Sequence, residues 1–290
     1  MRQRSISAVG VVLVGVVPAL FGGPVWTGLL VAVGLISLRE LHVLSRALDR
    51  RPLRSGYVVL PTIVVGAALR PGAEVLLGLL SMIVLLSFTE VLTRGNAAGS
   101  ALDWATDCAF GAYLAVPLAS AATLRGIDGD IEASWLSRLA QDLSFGWAAA
   151  PRGLAWLLFV VVVVWLSDTG AYLVGRRFGR RPLATAISPK KTVEGLLGGY
   201  LFAGVAAVAA DDAVGLDMPW WALVVGAIVI ATVGVIGDLS ESLLKRQAGV
   251  KDSGRLIPGH GGILDRIDAL LFAWSAGLLF AVAVDRAISS

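Results

Sequence analysis

The sequence predicts an all-α polytopic membrane protein of about nine transmembrane helices, with the N-terminus cytosolic and the C-terminus on the opposite side. Three observations carry this. Of its 290 residues, 57% are hydrophobic and only 16% are charged, with a mean hydropathy of +0.80, well outside the range of a soluble domain. Apolar runs recur from Ile6 to Val284 with short polar connections between them. The Lys and Arg residues, finally, collect in alternate connections, as the positive-inside rule requires.

The runs are Ile6 to Gly23, Pro24 to Leu38, Tyr57 to Leu69, Val75 to Leu92, Trp104 to Leu124, Leu154 to Leu166, Val193 to Ala210, Trp220 to Ile236 and Ile267 to Val284. A helical span needs about 20 residues, so the third and sixth runs are short by that measure. The sixth can extend through Ser167-Asp168-Thr169-Gly170 to Val174. The first run follows Met-Arg-Gln-Arg and resembles a signal peptide, but further spans begin at once, so it reads as a retained anchor. With nine spans, 19 of the 24 basic residues fall in cytosolic segments, while Asp128, Asp130, Glu132, Asp211, Asp212 and Asp217 gather outside. Removing the third span would invert every earlier loop and spoil this pattern. The length is consumed by spans, so 1–290 is expected to form a single membrane domain. The outer loop Arg125 to Gly153, with Trp135, Leu136, Leu139 and Leu143 among polar residues, reads as an amphipathic helix lying on the far surface.

Net charge is only +3, a weak argument for nucleic acid, and none is expected as a partner. Cys108 stands alone and can form no intrachain disulfide, so it reads as packing.

Chemistry is expected on two long inside connections, Arg176 to Thr192 and Gly237 to Arg266, which are rich in Gly, Pro and charge. On a helix continuing from the eighth run, Asp238, Glu241, Ser242 and Lys245 share one face. A lone acid there could be a helix end reaching water. That reading weakens because Asp265 and Asp268 share a face at the start of the next helix. If the two helices are neighbours, their carboxylates repel unless a cation lies between them, and magnesium suits a site of one or two carboxylates plus phosphates and water. Asp238 and Asp265 are the expected ligands, with Asp268 a supporting acid or a ligand to a second ion.

Between these helices, the glycines around Gly261 and Gly262 permit close backbone approach, and free amides there would suit phosphate oxygens. His260 could donate to a phosphate, orient a carboxylate or structure the loop. In the other connection, Ser188-Pro189-Lys190-Lys191-Thr192 sets paired lysines before a helix whose N-terminal amides are unpaired, a place for a triphosphate. Asp168 ends an apolar run, where an acid is costly and usually serves a purpose. Arg176, Arg177, Arg180 and Arg181 are explained by topology and anionic lipid. Glu40, His42 and Glu90 read as interfacial, and Asp103 and Asp107 as support for a polar channel.

Ser242-Leu243-Leu244-Lys245-Arg246, four intervening residues, Lys251-Asp252-Ser253-Gly254, then Ile257-Pro258-Gly259-His260-Gly261-Gly262-Ile263-Leu264-Asp265-Arg266-Ile267-Asp268 resemble the signature of the phosphatidate cytidylyltransferases without departure, over 27 residues. The Ser-Asp-Thr-Gly-Ala-Tyr and Ser-Pro-Lys-Lys-Thr-Val-Glu-Gly segments resemble the family too, whereas the first 150 residues do so only in hydropathy. The resemblance implies CTP and phosphatidate as substrates, CDP-diacylglycerol and pyrophosphate as products, and a divalent cation, with a second cation left open. Asp238, Asp265, Lys245, Arg246, His260 and Arg266 are then expected to be catalytic. Asp168, Ser188, Lys190, Lys191, Ser242, Lys251, Asp252, Gly261 and Gly262 are expected to bind substrate. The site is expected on residues 154–284, facing the cytosol from the inner (plasma) membrane, with the N-terminal spans as scaffold, membrane lipids as partners and a homodimer left open. The alternatives are a CTP-dependent lipid-alcohol kinase, which would release CDP, and an ion-coupled transporter, which would place its acids nearer the bilayer midplane.

Overall fold

The computed structural model describes residues 14–69, 72–95, 98–144, 149–257 and 261–289. Its helices are α1 (Gly23–Ala47), α2 (Gly56–Leu69), α3 (Ala73–Thr93), α4 (Ser100–Arg125), α5 (Ser134–Leu143), α6 (Pro151–Phe178), α7 (Val193–Val214), α8 (Trp220–Gln247) and α9 (Leu264–Ser289). The protein is an all-α membrane protein. Among the described residues, six helices (α1, α4, α6, α7, α8 and α9) are long and apolar enough to cross a membrane, while α2 and residues 80–93 of α3 are apolar but shorter. Of the expected first span Ile6 to Gly23, 14–21 is helical, Gly22 breaks the helix at φ +65° and Gly23 already opens α1, while 6–13 lie outside the described residues.

Several helices run well beyond the apolar runs that announced them. Helix α6 has 28 residues, roughly 42 Å at the α-helical rise, against a hydrocarbon core of about 30 Å. It passes straight through Ser167-Asp168-Thr169-Gly170, where the Thr169 hydroxyl donates back to the Trp165 carbonyl at 2.7 Å, and stops where the Gly179 N–H closes onto Gly175 O at 2.9 Å. Helix α8 likewise continues from Ile236 to Gln247, so Asp238, Glu241, Ser242 and Lys245 do lie on one helix. A two-stranded antiparallel hairpin, β1 (Pro182–Ala184) and β2 (Ser188–Thr192), sits between α6 and α7, with Pro182 opposite Thr192 and Ala184 opposite Ser188. No apolar alternation announces it, because both strands are short and β2 is mostly polar.

The chain forms two compact units. The first comprises 1–18, 23–123 and 244–267. Leu30, Leu38, Leu41, Leu60, Ile63, Leu114 and Leu118 make its core, and Trp26 Nε1 donates to Ala121 O at 3.2 Å. The α1–α2 connection is held by carboxylates from two helices. Asp103 accepts from Arg51 N and Asp107 from Leu53 N, both at 3.1 Å, and Glu90 accepts from Arg54 N and Ser55 N at 2.7 and 2.8 Å. Buried His42 Nε2 stands 3.4 Å from Asp107. Asp103 and Asp107, expected to support a polar channel, anchor this short connection by accepting from its amides, of which Leu53 N is buried.

The second unit comprises 19–22, 124–243 and 268–290. Helices α6 and α7 pack tightly because small residues line their seam. A Cβ on Gly198 would run into Val174, and one on Gly170 would lie 2.5 Å from Phe202, the close backbone approach typical of membrane helix pairs. Helix α5 is amphipathic as expected, with part of its apolar side turned into the protein and Trp135 54% exposed. Leu136 and Ala140 are fully buried in the protein, and Trp135 Nε1 donates to Ala213 O at 2.9 Å.

Arg125, expected in an outer loop, is 3% exposed. Its guanidinium gathers the carbonyls of Ala19, Ala149, Ala150 and Leu20 at 2.7, 3.0, 3.2 and 3.3 Å. Arg125→Met strands those carbonyls and is expected to cost roughly 2–4 kcal/mol. The measurement is the apparent Tm of the purified variant in detergent, and an unchanged Tm contradicts the assignment.

Candidate active site

The first group of site residues belongs to the second unit and is built by the hairpin, α7 and α8. Helix α7 starts where the Thr192 hydroxyl caps Gly195 N at 3.1 Å and the Val193 N–H bonds Arg181 O at 2.9 Å. The next residue, Glu194, turns back to accept from Arg180 N and Arg181 N at 2.9 and 3.1 Å and from Arg181 Nε at 3.1 Å. The N-terminal amides expected to await a phosphate are therefore partly committed, because β2 leads into the helix through a Thr cap. Successive strand residues point to opposite faces. Accordingly Lys190 is exposed, whereas Lys191 reaches Asp238 on α8, Nζ to Oδ2 2.5 Å. The Ser242 hydroxyl approaches Asp238 Oδ1 at 3.4 Å. Asp168 on α6 lies close enough to feel the charges of both Asp238 and Lys191. Helices α8 and α9 are neighbours here, since a Cβ on Gly237 would stand 2.5 Å from the Asp268 carbonyl. Asp268 itself accepts from the following amide, Ala269 N, at 2.8 Å.

The second group belongs to the first unit and surrounds the start of α9. Asp265 Oδ1 receives the Lys245 ammonium at 2.6 Å. Its Oδ2 receives Gly262 N at 2.8 Å and both the amide and the hydroxyl of Ser253 at 2.9 Å. Glu40, buried on α1, takes Ile263 N at 3.0 Å on one oxygen, and Leu264 N at 2.9 Å and the Ser253 hydroxyl at 3.1 Å on the other. Two carboxylates thus consume four amides of the glycine-rich loop and the first turn of α9. These are the amides expected to be free for phosphate. They are not free, because a helix N-terminus carrying an acid just inside it closes on itself in the manner of a capping box. The glycines have a matching reason. Gly261 adopts φ +81° and a Cβ there would strike Asp265, while a Cβ on Gly262 would strike Glu40 and Ser253.

Of the remaining expected residues, Arg246 donates to Val250 O at 3.0 Å and so finishes α8. Arg266, Lys251 and Asp252 are exposed, and Ser188 is half-buried in β2. His260 lies outside the described residues. Glu40 and Ser253 were not anticipated. The available signal was an acid inside an apolar helix, which needs an internal partner to be tolerated.

The two ion pairs differ in kind. Lys191 and Asp238 keep 27% and 32% of their side chains exposed, and such pairs contribute about 1 kcal/mol or less. Lys245 and Asp265 keep 10% and 6%, and removing one partner of a buried pair costs about 3–5 kcal/mol. The first can exchange partners with a ligand and the second is fixed. Accordingly, Lys245→Met is expected to lower the stability of the detergent-solubilised protein by about 3–5 kcal/mol, with Lys245→Met/Asp265→Asn losing less than the single variant. Equal losses in the single and double variants would contradict the coupling.

Among the described residues, no three His, Cys, Asp or Glu side chains converge into a metal cage. Relatives of the chain include proteins named phosphatidate cytidylyltransferase from Staphylococcus epidermidis, 49% identical over 121 residues (42% of this chain, 46% of that protein), and from Staphylococcus saprophyticus, 48% identical over 121 residues (42% and 46%). One from Staphylococcus aureus is 44% identical over 128 residues (44% and 49%). In these alignments the chain spans about half the length of each relative. Residues 2–284 match the model of the family described as the cytidylyltransferase family, and the chain belongs to that family.

Proposed function

We propose that the protein transfers the CMP moiety of CTP to phosphatidate, forming CDP-diacylglycerol and pyrophosphate for phospholipid synthesis. The observation that carries this is the likeness to relatives named phosphatidate cytidylyltransferase, in a chain whose signature residues Gly262, Ile263 and Asp265 meet carboxylates at the head of α9. A phosphate oxygen of phosphatidate attacks the α-phosphorus of CTP; the new P–O bond forms as the bond to pyrophosphate breaks. Both reactants are anions, so the task is to hold them in line and offset their repulsion. Phosphatidate is already ionised near neutral pH and needs no base.

Lys191 is the cation best placed to help, since its exposed pair with Asp238 can be traded for a phosphate oxygen. Lys190, on the opposite face of β2, supplies charge from solvent, and Arg266 and Lys251 are exposed for the same purpose. Magnesium, when bound, would offset phosphate charge and stabilise the charge that develops during transfer. Asp238, with Asp168 beside it, would hold that ion. Asp265, the other expected ligand, has Lys245 on Oδ1 and three donors on Oδ2, so within its own unit it serves the loop. The site faces the cytosol of the inner membrane in this reading, in keeping with the basic residues of the inside segments and with CTP being cytosolic.

Purified protein given CTP, phosphatidate and magnesium is expected to release pyrophosphate in step with lipid product. Release of CDP would instead favour a lipid-alcohol kinase. Asp238→Asn should lower turnover by at least about 100-fold in a folded protein, and Lys191→Ala should raise KM for CTP by about tenfold. Normal turnover by Asp238→Asn sinks the metal assignment, and unchanged CTP dependence in Lys191→Ala sinks the role of the lysine.

A further inference from the structure

Glu40 lies 213 to 224 residues from its partners in the chain, yet both of its oxygens close onto the loop before α9. It is 8% exposed. Burying a carboxylate is costly unless donors surround it, and here two amides, one hydroxyl and the positive end of α9 do so. The fit extends to the glycines. A Cβ on Gly254 would lie 2.6 Å from Glu40 Oε1, and one on Gly262 would strike the same oxygen. The loop therefore closes around this one side chain.

The partners of Glu40 connect onward to Asp265 and Lys245, two residues expected to be catalytic. The Ser253 hydroxyl is shared between Glu40 and Asp265, and Asp265 holds Lys245. The residues flanking the clamp are Lys251, Asp252, Gly261 and Gly262, the ones expected to meet substrate. Local amides could have been capped by a nearby Ser or Asn, as at Thr192, whereas Glu40 ties the loop to α1.

We propose that Glu40 is a positioning residue for CTP: it touches no substrate and fixes Ser253, Ile263 and Leu264, and the residues beside them, in the conformation that receives the nucleotide. This rests on the cytidylyltransfer reading above. Losing the clamp leaves the loop intact but free to leave that conformation.

The experiment compares wild type, Glu40→Gln and Gly254→Ala as full-length protein. Gln keeps the shape but loses the charge and one acceptor. Ala at 254 pushes the carboxylate away with Glu40 still present, so the proposal remains testable if the first variant does not fold. Each variant is expected to raise KM for CTP by at least about fivefold, while KM for phosphatidate stays within about twofold. A lesion that merely unfolds part of the sample lowers kcat and moves neither KM. Trypsin is the second readout, and cleavage after exposed Lys251 and Arg255 is expected to quicken by at least about fivefold. Wild-type KM for CTP in the folded variants overturns the proposal, as does wild-type cleavage. If the wild-type protein itself makes no CDP-diacylglycerol, the functional reading has failed, and the trypsin comparison decides the clamp alone.

Discussion

A helix that begins at a membrane boundary leaves its first amides without partners, and those amides must be met by water, by a ligand or by the protein itself. At the head of α9 the protein meets them. Asp265 reaches back to Gly262 and Ser253, and Glu40 arrives from α1 to take Ile263 and Leu264. Much of the surrounding sequence follows from this. Positions 254, 261 and 262 have no room for a Cβ because two carboxylates occupy the space. Lys245 is drawn into the protein because Asp265 still carries an unmatched oxygen.

This arrangement divides the work between two ion pairs. The buried Lys245–Asp265 pair belongs to the architecture and holds the loop against α8. The more exposed Lys191–Asp238 pair, on a hairpin placed by the tight packing of α6 and α7, has little energy to lose when a ligand intervenes.

The all-α membrane fold was legible because hydropathy and charge segregation act over whole helices. The common face of Asp238, Glu241, Ser242 and Lys245 was legible because the period of 3.6 continues beyond Ile236. What could not be read was partnership across long separations. Asp265 was recognised as important, but its role as the organiser of four donors depends on how the loop returns upon it. Glu40 looked interfacial because nothing near it in sequence hints at residues 253 to 264. Arg125 was assigned to an outer loop for the same reason: hydropathy records polarity, whereas burial depends on carbonyls supplied by distant segments.

The central claim is that protein carboxylates, and not substrate phosphates, hold the amides at the start of α9. Hydrogen exchange of Ser253, Gly262, Ile263 and Leu264 in the substrate-free protein tests it directly. The account requires these four amides to be protected by roughly 100-fold or more over an open loop, and to change little when CTP is added. Fast exchange in the free protein, with protection appearing only with CTP, would contradict it and return these amides to the nucleotide.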